Sequence, residues 1–197
     1  MLPLYLLLSY LIGCLNGSRV ASYFKKTDVA SQGVKNPGAS NTTIVLGWKW
    51  GAFVALVDIA KAFIPVYLFS TLFDPPSPLP LYTIGALVVL GHNFPATHRF
   101  KGGKGTASVI GMIIAIEPLM GLLSLGLLIG VTLLSDYIVI GVLAMYATFG
   151  SMTFLFMDDA SALLFFALAL LNLLLHRENF RRIRNGTETT FFGVWKK

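Results

Sequence analysis

One cysteine, three histidines and nine acidic residues are spread through 197 positions, and each scarcity excludes something. A lone Cys14, inside an apolar stretch, forms no internal disulfide and says nothing of redox compartment. Charged residues are 12% of the chain, where a soluble domain carries about 25%. With 55% hydrophobic residues and a mean hydropathy of +0.74, the chain reads as an all-α, polytopic integral membrane protein. It has no internal repeat and no low-complexity linker. The apolar start, Leu4 to Leu15, lacks the basic flank and small-residue cleavage site of a leader, so it is read as the first span. The net charge of +6 points to membrane lipid and not to nucleic acid, because cytoplasmic loops of membrane proteins are enriched in Lys and Arg.

About seven transmembrane helices are expected in a single domain over 1–197, some short or partly interfacial. They are Pro3–Phe24, Gly47–Leu72, Leu79–Leu90, Ala107–Ile116, Leu119–Leu134, Tyr137–Met157 and Ala160–Leu175. Segment 25–43 reads as a polar loop in which Ser40 or Asn41 caps the next helix. Breaks fall at the proline-rich 74–80, at Glu117-Pro118, at Ser135-Asp136 and at Asp158-Asp159.

Charge then sorts the loops. Segments 25–46, 91–106, 135–136 and the tail from 176 hold Lys25, Lys26, Lys35, Arg99, Lys101, Lys104, Arg177, Arg181, Arg182, Arg184, Lys196 and Lys197. The opposite set holds only Asp74, Glu117, Asp158 and Asp159. The asymmetry places the N-terminus outside and the C-terminus inside, with the three motif segments 25–46, 91–106 and 176–188 at the cytoplasmic face.

Three places carry the chemistry. In GHNFPATHRFKGGKGT, residues 91–106, Lys101, Gly102, Gly103, Lys104 and Gly105 lead into a helix start. Glycine backbone, a helix N-terminus and a lysine together suit a phosphate, or form a basic interface loop. An ATP-binding P-loop is excluded, since Lys104 precedes Gly105 and position 98 is histidine. His92 is either a proton acceptor or phosphate donor, or a structural histidine; His98 reads as interfacial. Asp58 and Lys61, three apart, share a helix face, as a quiet pair or as the buttress of a polar cavity. The tail HRENFRRIRNGTE repeats His176, Asn179 and Ile183 at helical spacing and stops at Asn185-Gly186. Lipid anchoring accounts for Arg181, Arg182 and Arg184, but not for Asn179 or Glu188.

These segments, with NPGASN at 36–41 and Leu46-Gly47, resemble the acyl-phosphate-dependent glycerol-3-phosphate acyltransferases, the PlsY family of bacteria. The likeness is collinear from Tyr10 to Glu188, and Asp58 and Lys61 fall on the family's D-x-x-K. The resemblance implies a multi-pass enzyme of the cell (inner) membrane that moves a fatty acyl group from acyl phosphate to the sn-1 hydroxyl of glycerol 3-phosphate. The products are lysophosphatidate and phosphate, the first step of phospholipid synthesis. It further implies pairing with an enzyme that makes acyl phosphate. The H-x-x-x-x-D motif of other glycerophosphate acyltransferases is missing: Thr97, Gly103 and Arg181 stand where Asp is required. Acyl phosphate already carries a good leaving group, so no Ser or Cys nucleophile, no metal and no cofactor is expected. His92, Lys104 and Asn179 are then the catalytic residues. Lys35, Asn36, Gly38, Asn41, Lys101, Gly102, Gly103, Gly105, His176 and Glu188 would bind substrate phosphates.

The first motif departs from the family. Its usual pattern resembles D-[IL]-R-x-x-G-S-G-N-x-G-A-T-N-x-x-R, and here Ala30, Val34, Lys35 and Ile44 replace Arg, Ser, Gly and Arg. Each lost charged hydrogen bond weakens a phosphate site by roughly 1.5–3 kcal/mol. Lys35, and less directly Arg19, are the cations at hand to compensate. The departure also leaves open a family-related acyltransferase with another acceptor, or a non-catalytic lipid-binding or transport paralogue.

Overall fold

The computed structural model describes residues 2–195, and every regular element among them is helical, as the composition predicts. Lys196 and Lys197, counted among the cytoplasmic cations, lie outside the described residues. The chain divides into two compact units, Met1–Ile116 and Glu117–Lys197.

The first unit opens with α1, Leu2–Gly13, and α2, Gly17–Lys25. The sequence reads as one unbroken span here, but the helix stops at Cys14. Asn16 explains the stop. Its Oδ1 accepts from the amides of Ser18 and Arg19, which makes it the N-cap of a new helix. Next comes α3, Ala39–Leu46, a two-turn helix within what the sequence reads partly as loop. Ser40 and Asn41 lie inside it, and its N-cap is Gly38. Three longer elements follow: α4, Trp48–Phe73; α5, Leu79–Asn93; and α6, Thr106–Ile116.

Lipid gives apolar helices little hydrophobic reason to associate, so close packing carries the assembly. Glycine supplies it. Gly13 of α1 meets the Val88 carbonyl of α5, and Gly91 of α5 meets the Tyr10 carbonyl of α1; a Cβ at either would overlap backbone. Gly111 brings α6 equally close to the Ile59 carbonyl of α4. Leu4, Leu7, Leu11, Leu56 and Leu72 remain exposed, as lipid-facing positions should.

The second unit holds α7, Pro118–Ser135; α8, Ile138–Phe156; α9, Asp159–Leu175; α10, Arg177–Arg184; and α11, Phe191–Trp195. The breaks read from sequence all occur. Asp158 caps α9, accepting from the Ser161 amide at 2.9 Å, and that bond holds its carboxyl below the usual range. Asp136, at φ 64°, turns α7 into α8 and also receives the amides of Phe191 and Phe192, each at 2.8 Å. The last helix is thereby tied to that turn.

Among the described residues, five helical stretches are long and apolar enough to cross a membrane. The count reaches six if α9 and α10, bent by 50°, form one broken span. The other apolar segment of the expected seven, Thr106–Ile116, has 11 residues and is one of the short ones anticipated.

Candidate active site

The first-motif loop is held by Asn41. Buried completely, it accepts from the Val34 amide through Oδ1 at 2.8 Å. It donates through Nδ2 to the carbonyls of Val29 and Gln32 at 2.8 and 3.0 Å. Both N–H donors are thus committed to the loop, so Asn41 organises it and has none left for an anion. Gly33, at φ 59°, lies so close to the Asn41 amide oxygen that a side chain there would collide. Lys35, at φ 53°, sits exposed in the left-handed region where glycine is the easier residue. Gly38 is buried and opens α3 without a side-chain cap, and the Asn36 side chain lies beside it. A helix N-terminus left in that state presents amide N–H groups outward.

Beside this loop is a cavity of about 320 Å³ lined by Ser18, Arg19, Ser22, Lys26, Asp28 and Ala30. Arg19 is half-buried, makes no ion pair among the described residues, and stands close enough to His98 to interact electrostatically. Ala30, at the family's arginine position, thus shares a cavity wall with an arginine from a different helix.

The central stretch folds back on the end of α5. The amides of Gly102 and Gly103 donate to the carbonyls of Asn93 and His92, both at 3.1 Å. These two amides are therefore not turned toward a ligand. What the glycines provide is close approach: Gly103 lies against the His92 ring at Nε2 and near the Pro37 carbonyl of the first-motif loop. Asn16 reaches the same carbonyl through Nδ2 at 3.3 Å. Gly105, at φ 78°, accepts from the Val109 amide at 2.8 Å and so starts α6. Half-buried Lys104 therefore stands at the positive end of that helix, while Lys101 is exposed. His98 bonds Thr97 at 2.7 Å.

His92 is buried, as are Asp58 and Lys61 on α4. Lys61 Nζ lies 2.8 Å from Asp58 Oδ1 and 2.8 Å from His92 Nδ1. The pair is thus joined to the central stretch. Sequence spacing pairs Asp58 with Lys61 but gives no sign of the third partner, 31 positions away.

In the second unit, Glu188 gathers the tail. It accepts from Asn179 Nδ2 at 2.6 Å and from Arg182 Nε at 2.5 Å. With its Nδ2 turned to the carboxylate, Asn179 offers Oδ1 to His176 Nδ1 at 3.3 Å. Arg182 therefore belongs to this network and not to the lipid-anchoring face, whereas exposed Arg181 pairs with half-buried Glu178. Among the described residues, no group of three His, Cys, Asp or Glu side chains is placed to hold a metal ion.

Residues 3–186 match the family model described as glycerol-3-phosphate acyltransferase. The chain belongs to this family, the PlsY acyltransferases. Among curated relatives it is 39% identical to glycerol-3-phosphate acyltransferase 1 of Oceanobacillus iheyensis, covering 97% of this chain and 95% of that one. It is 34% identical to glycerol-3-phosphate acyltransferase of Thermoanaerobacter pseudethanolicus, over 93% and 92%. The fold matches crystal structures of PlsY (YgiH), an integral membrane glycerol 3-phosphate acyltransferase. For the glycerol 3-phosphate form the TM-score is 0.90 at 30% identity, over 96% of this chain and 95% of that one. For the lysophosphatidic acid form it is 0.86 at 29%, over 100% and 99%. The family domain thus runs through both units, and the chain is a multi-pass integral membrane protein.

The helix break escapes the sequence reading, which names Arg19 only as the less direct of two compensating cations. Asn16-Gly17-Ser18 is an N-cap signature, and it is the signal that finds the helix break. Arg19, one turn further on, then follows as a residue facing the first-motif loop.

Proposed function

We propose that this chain transfers a fatty acyl group from acyl phosphate to the sn-1 hydroxyl of glycerol 3-phosphate, giving lysophosphatidate and inorganic phosphate. The hydroxyl oxygen bonds to the acyl carbon, the carbon–oxygen bond to phosphate breaks, its electron pair leaves on phosphate, and the hydroxyl's proton ends on the released phosphate. Both substrates are anions, so the protein's task is to bring two phosphates together and place a hydroxyl on a carbonyl carbon. The observation that carries the reading is Gly103 packed on the His92 ring, which sets Lys104 and the start of α6 beside His92.

In this reading Lys104 neutralises a substrate phosphate and His92 touches the reacting groups. Asn36, Gly38 and the start of α3 serve the acceptor's phosphate, together with Lys35. Arg19 takes the place of the arginine absent at Ala30. Asn179 and His176 are further candidates for substrate contact, oriented by Glu188 within their own unit, and Asn41, Gly102 and Gly103 hold the loops in shape. Lys101, exposed, adds positive potential at the entrance. The active site faces the cytoplasm, where a partner enzyme supplies acyl phosphate.

The test is turnover of purified protein with palmitoyl phosphate and glycerol 3-phosphate, read as phosphate release and lysophosphatidate formed. Lys104→Ala is expected to lower kcat by about 100-fold or more. Wild-type turnover in that variant would remove Lys104 from the site. Phosphate release that requires another alcohol would replace the acceptor.

A further inference from the structure

Lys61 has three close partners in the first unit. Its Nζ lies 2.6 Å from the Leu15 carbonyl oxygen, 2.8 Å from Asp58 Oδ1 and 2.8 Å from His92 Nδ1. A lysine ammonium has three N–H donors and no acceptor. A carbonyl can only accept, so one donor goes to Leu15, while Asp58 holds the ammonium as an ion pair. Another donor faces His92 Nδ1, and a ring nitrogen that accepts carries no hydrogen. The single hydrogen of the neutral ring must then sit on Nε2. The other tautomer would direct an N–H at an ammonium 2.8 Å away, with Asp58 only at 3.5 Å. The Nε2 edge faces the backbone at Gly103, beside Lys104.

We propose that Lys61, fastened by Asp58 and the Leu15 carbonyl, is a positioning residue that holds His92 in the Nε2–H form. His92 therefore acts as a hydrogen-bond donor to a phosphate or carbonyl oxygen of substrate and not as the base for the acceptor hydroxyl. The inference rests on the reading that His92 lies at the acyl-transfer site. It gives the buried pair a function that stability alone does not require. A paired charge in an apolar interior is costly, and an apolar pair of similar volume is often as stable or more so.

The deciding measurement is nitrogen-15 NMR of histidine-labelled protein in lipid nanodiscs, with the His92 signals assigned by their loss in His92→Gln. The expected spectrum has His92 neutral, with its hydrogen on Nε2. An Nδ1–H tautomer, an imidazolium or an even mixture of tautomers overturns the proposal. This spectrum needs no turnover, so it stands apart from any failure of the acyl-transfer reading. Asp58→Asn combined with Lys61→Met removes both charges together and strands neither. In that double variant His92 is expected to lose its single tautomer, while kcat falls about 10- to 100-fold. An unchanged Nε2–H spectrum there would strip Lys61 of the role. His92→Gln keeps an N–H near the Nε2 position and removes the base, whereas His92→Phe removes both. The glutamine variant should turn over at least about tenfold faster than the phenylalanine variant, as one lost oxyanion donor costs 100-fold or more. Equal rates would refute the donor role.

Discussion

At the scale of single residues, we propose that a cation from another helix serves the altered first motif. Ala30 lacks the cation that the family places there, and Arg19 stands across the same cavity without an ion-pair partner among the described residues. Because it comes from α2, the cation arrives by a different route to the same loop. Arg19→Ala should therefore raise KM for glycerol 3-phosphate about tenfold, the equivalent of roughly 1.5 kcal/mol for a charged hydrogen bond, with kcat less affected. Steady-state kinetics at varied glycerol 3-phosphate check this; an unchanged KM would leave the acceptor site short of a cation. Lys35 bears a different cost. At φ 53° it occupies a conformation that glycine adopts freely. Lys35→Gly should relieve backbone strain but weaken acceptor binding, and thermal unfolding read beside KM separates the two effects.

Among the helices, what was legible in sequence was the periodic and the punctuated. Long apolar runs, proline breaks and the Asn185-Gly186 stop all recur in the structure, because lipid demands internally bonded helices and those residues end them. Long-range side-chain geometry was not legible. Asn41 matches the family motif as a ligand would, yet its amide is consumed by Val34, Val29 and Gln32. Gly102 and Gly103 look like an anion cradle, yet their amides close on α5. In both cases the residue type fits two roles, and only the partner decides between them. The α1–α5 contact gives a prediction at this scale. Gly91→Ala places a methyl on the Tyr10 carbonyl, one residue from His92. Parting the helices by a fraction of an ångström should cost about 1–3 kcal/mol in stability and also lower kcat. Thermal unfolding in detergent together with turnover tests it, and a stable, fully active variant would show that the close approach is dispensable.

For the whole molecule, orientation is the property that the charge pattern of the sequence addresses. Every Lys or Arg outside the spans lies in the loops that the charge count assigns to one face, and Arg19, Lys49 and Lys61 lie within spans. A reporter fused after Lys197 should be active only when it reads the cytoplasm, and one inserted at 74–80 only when it reads the exterior. Activity of the first outside the cell would invert the assignment.

The break at Cys14–Asn16 leaves the Leu15 carbonyl outside any helix. Lys61 bonds that carbonyl while bonding His92. A substitution that healed the helix at Asn16 would withdraw one of the lysine's anchors, and loss of Lys61 would orphan the carbonyl. Positions 15, 16 and 61 are therefore not free to drift separately. A relative that mends its first span should also have changed what stands opposite Leu15, so the joint history of those positions becomes a measurable trace of how the histidine is held.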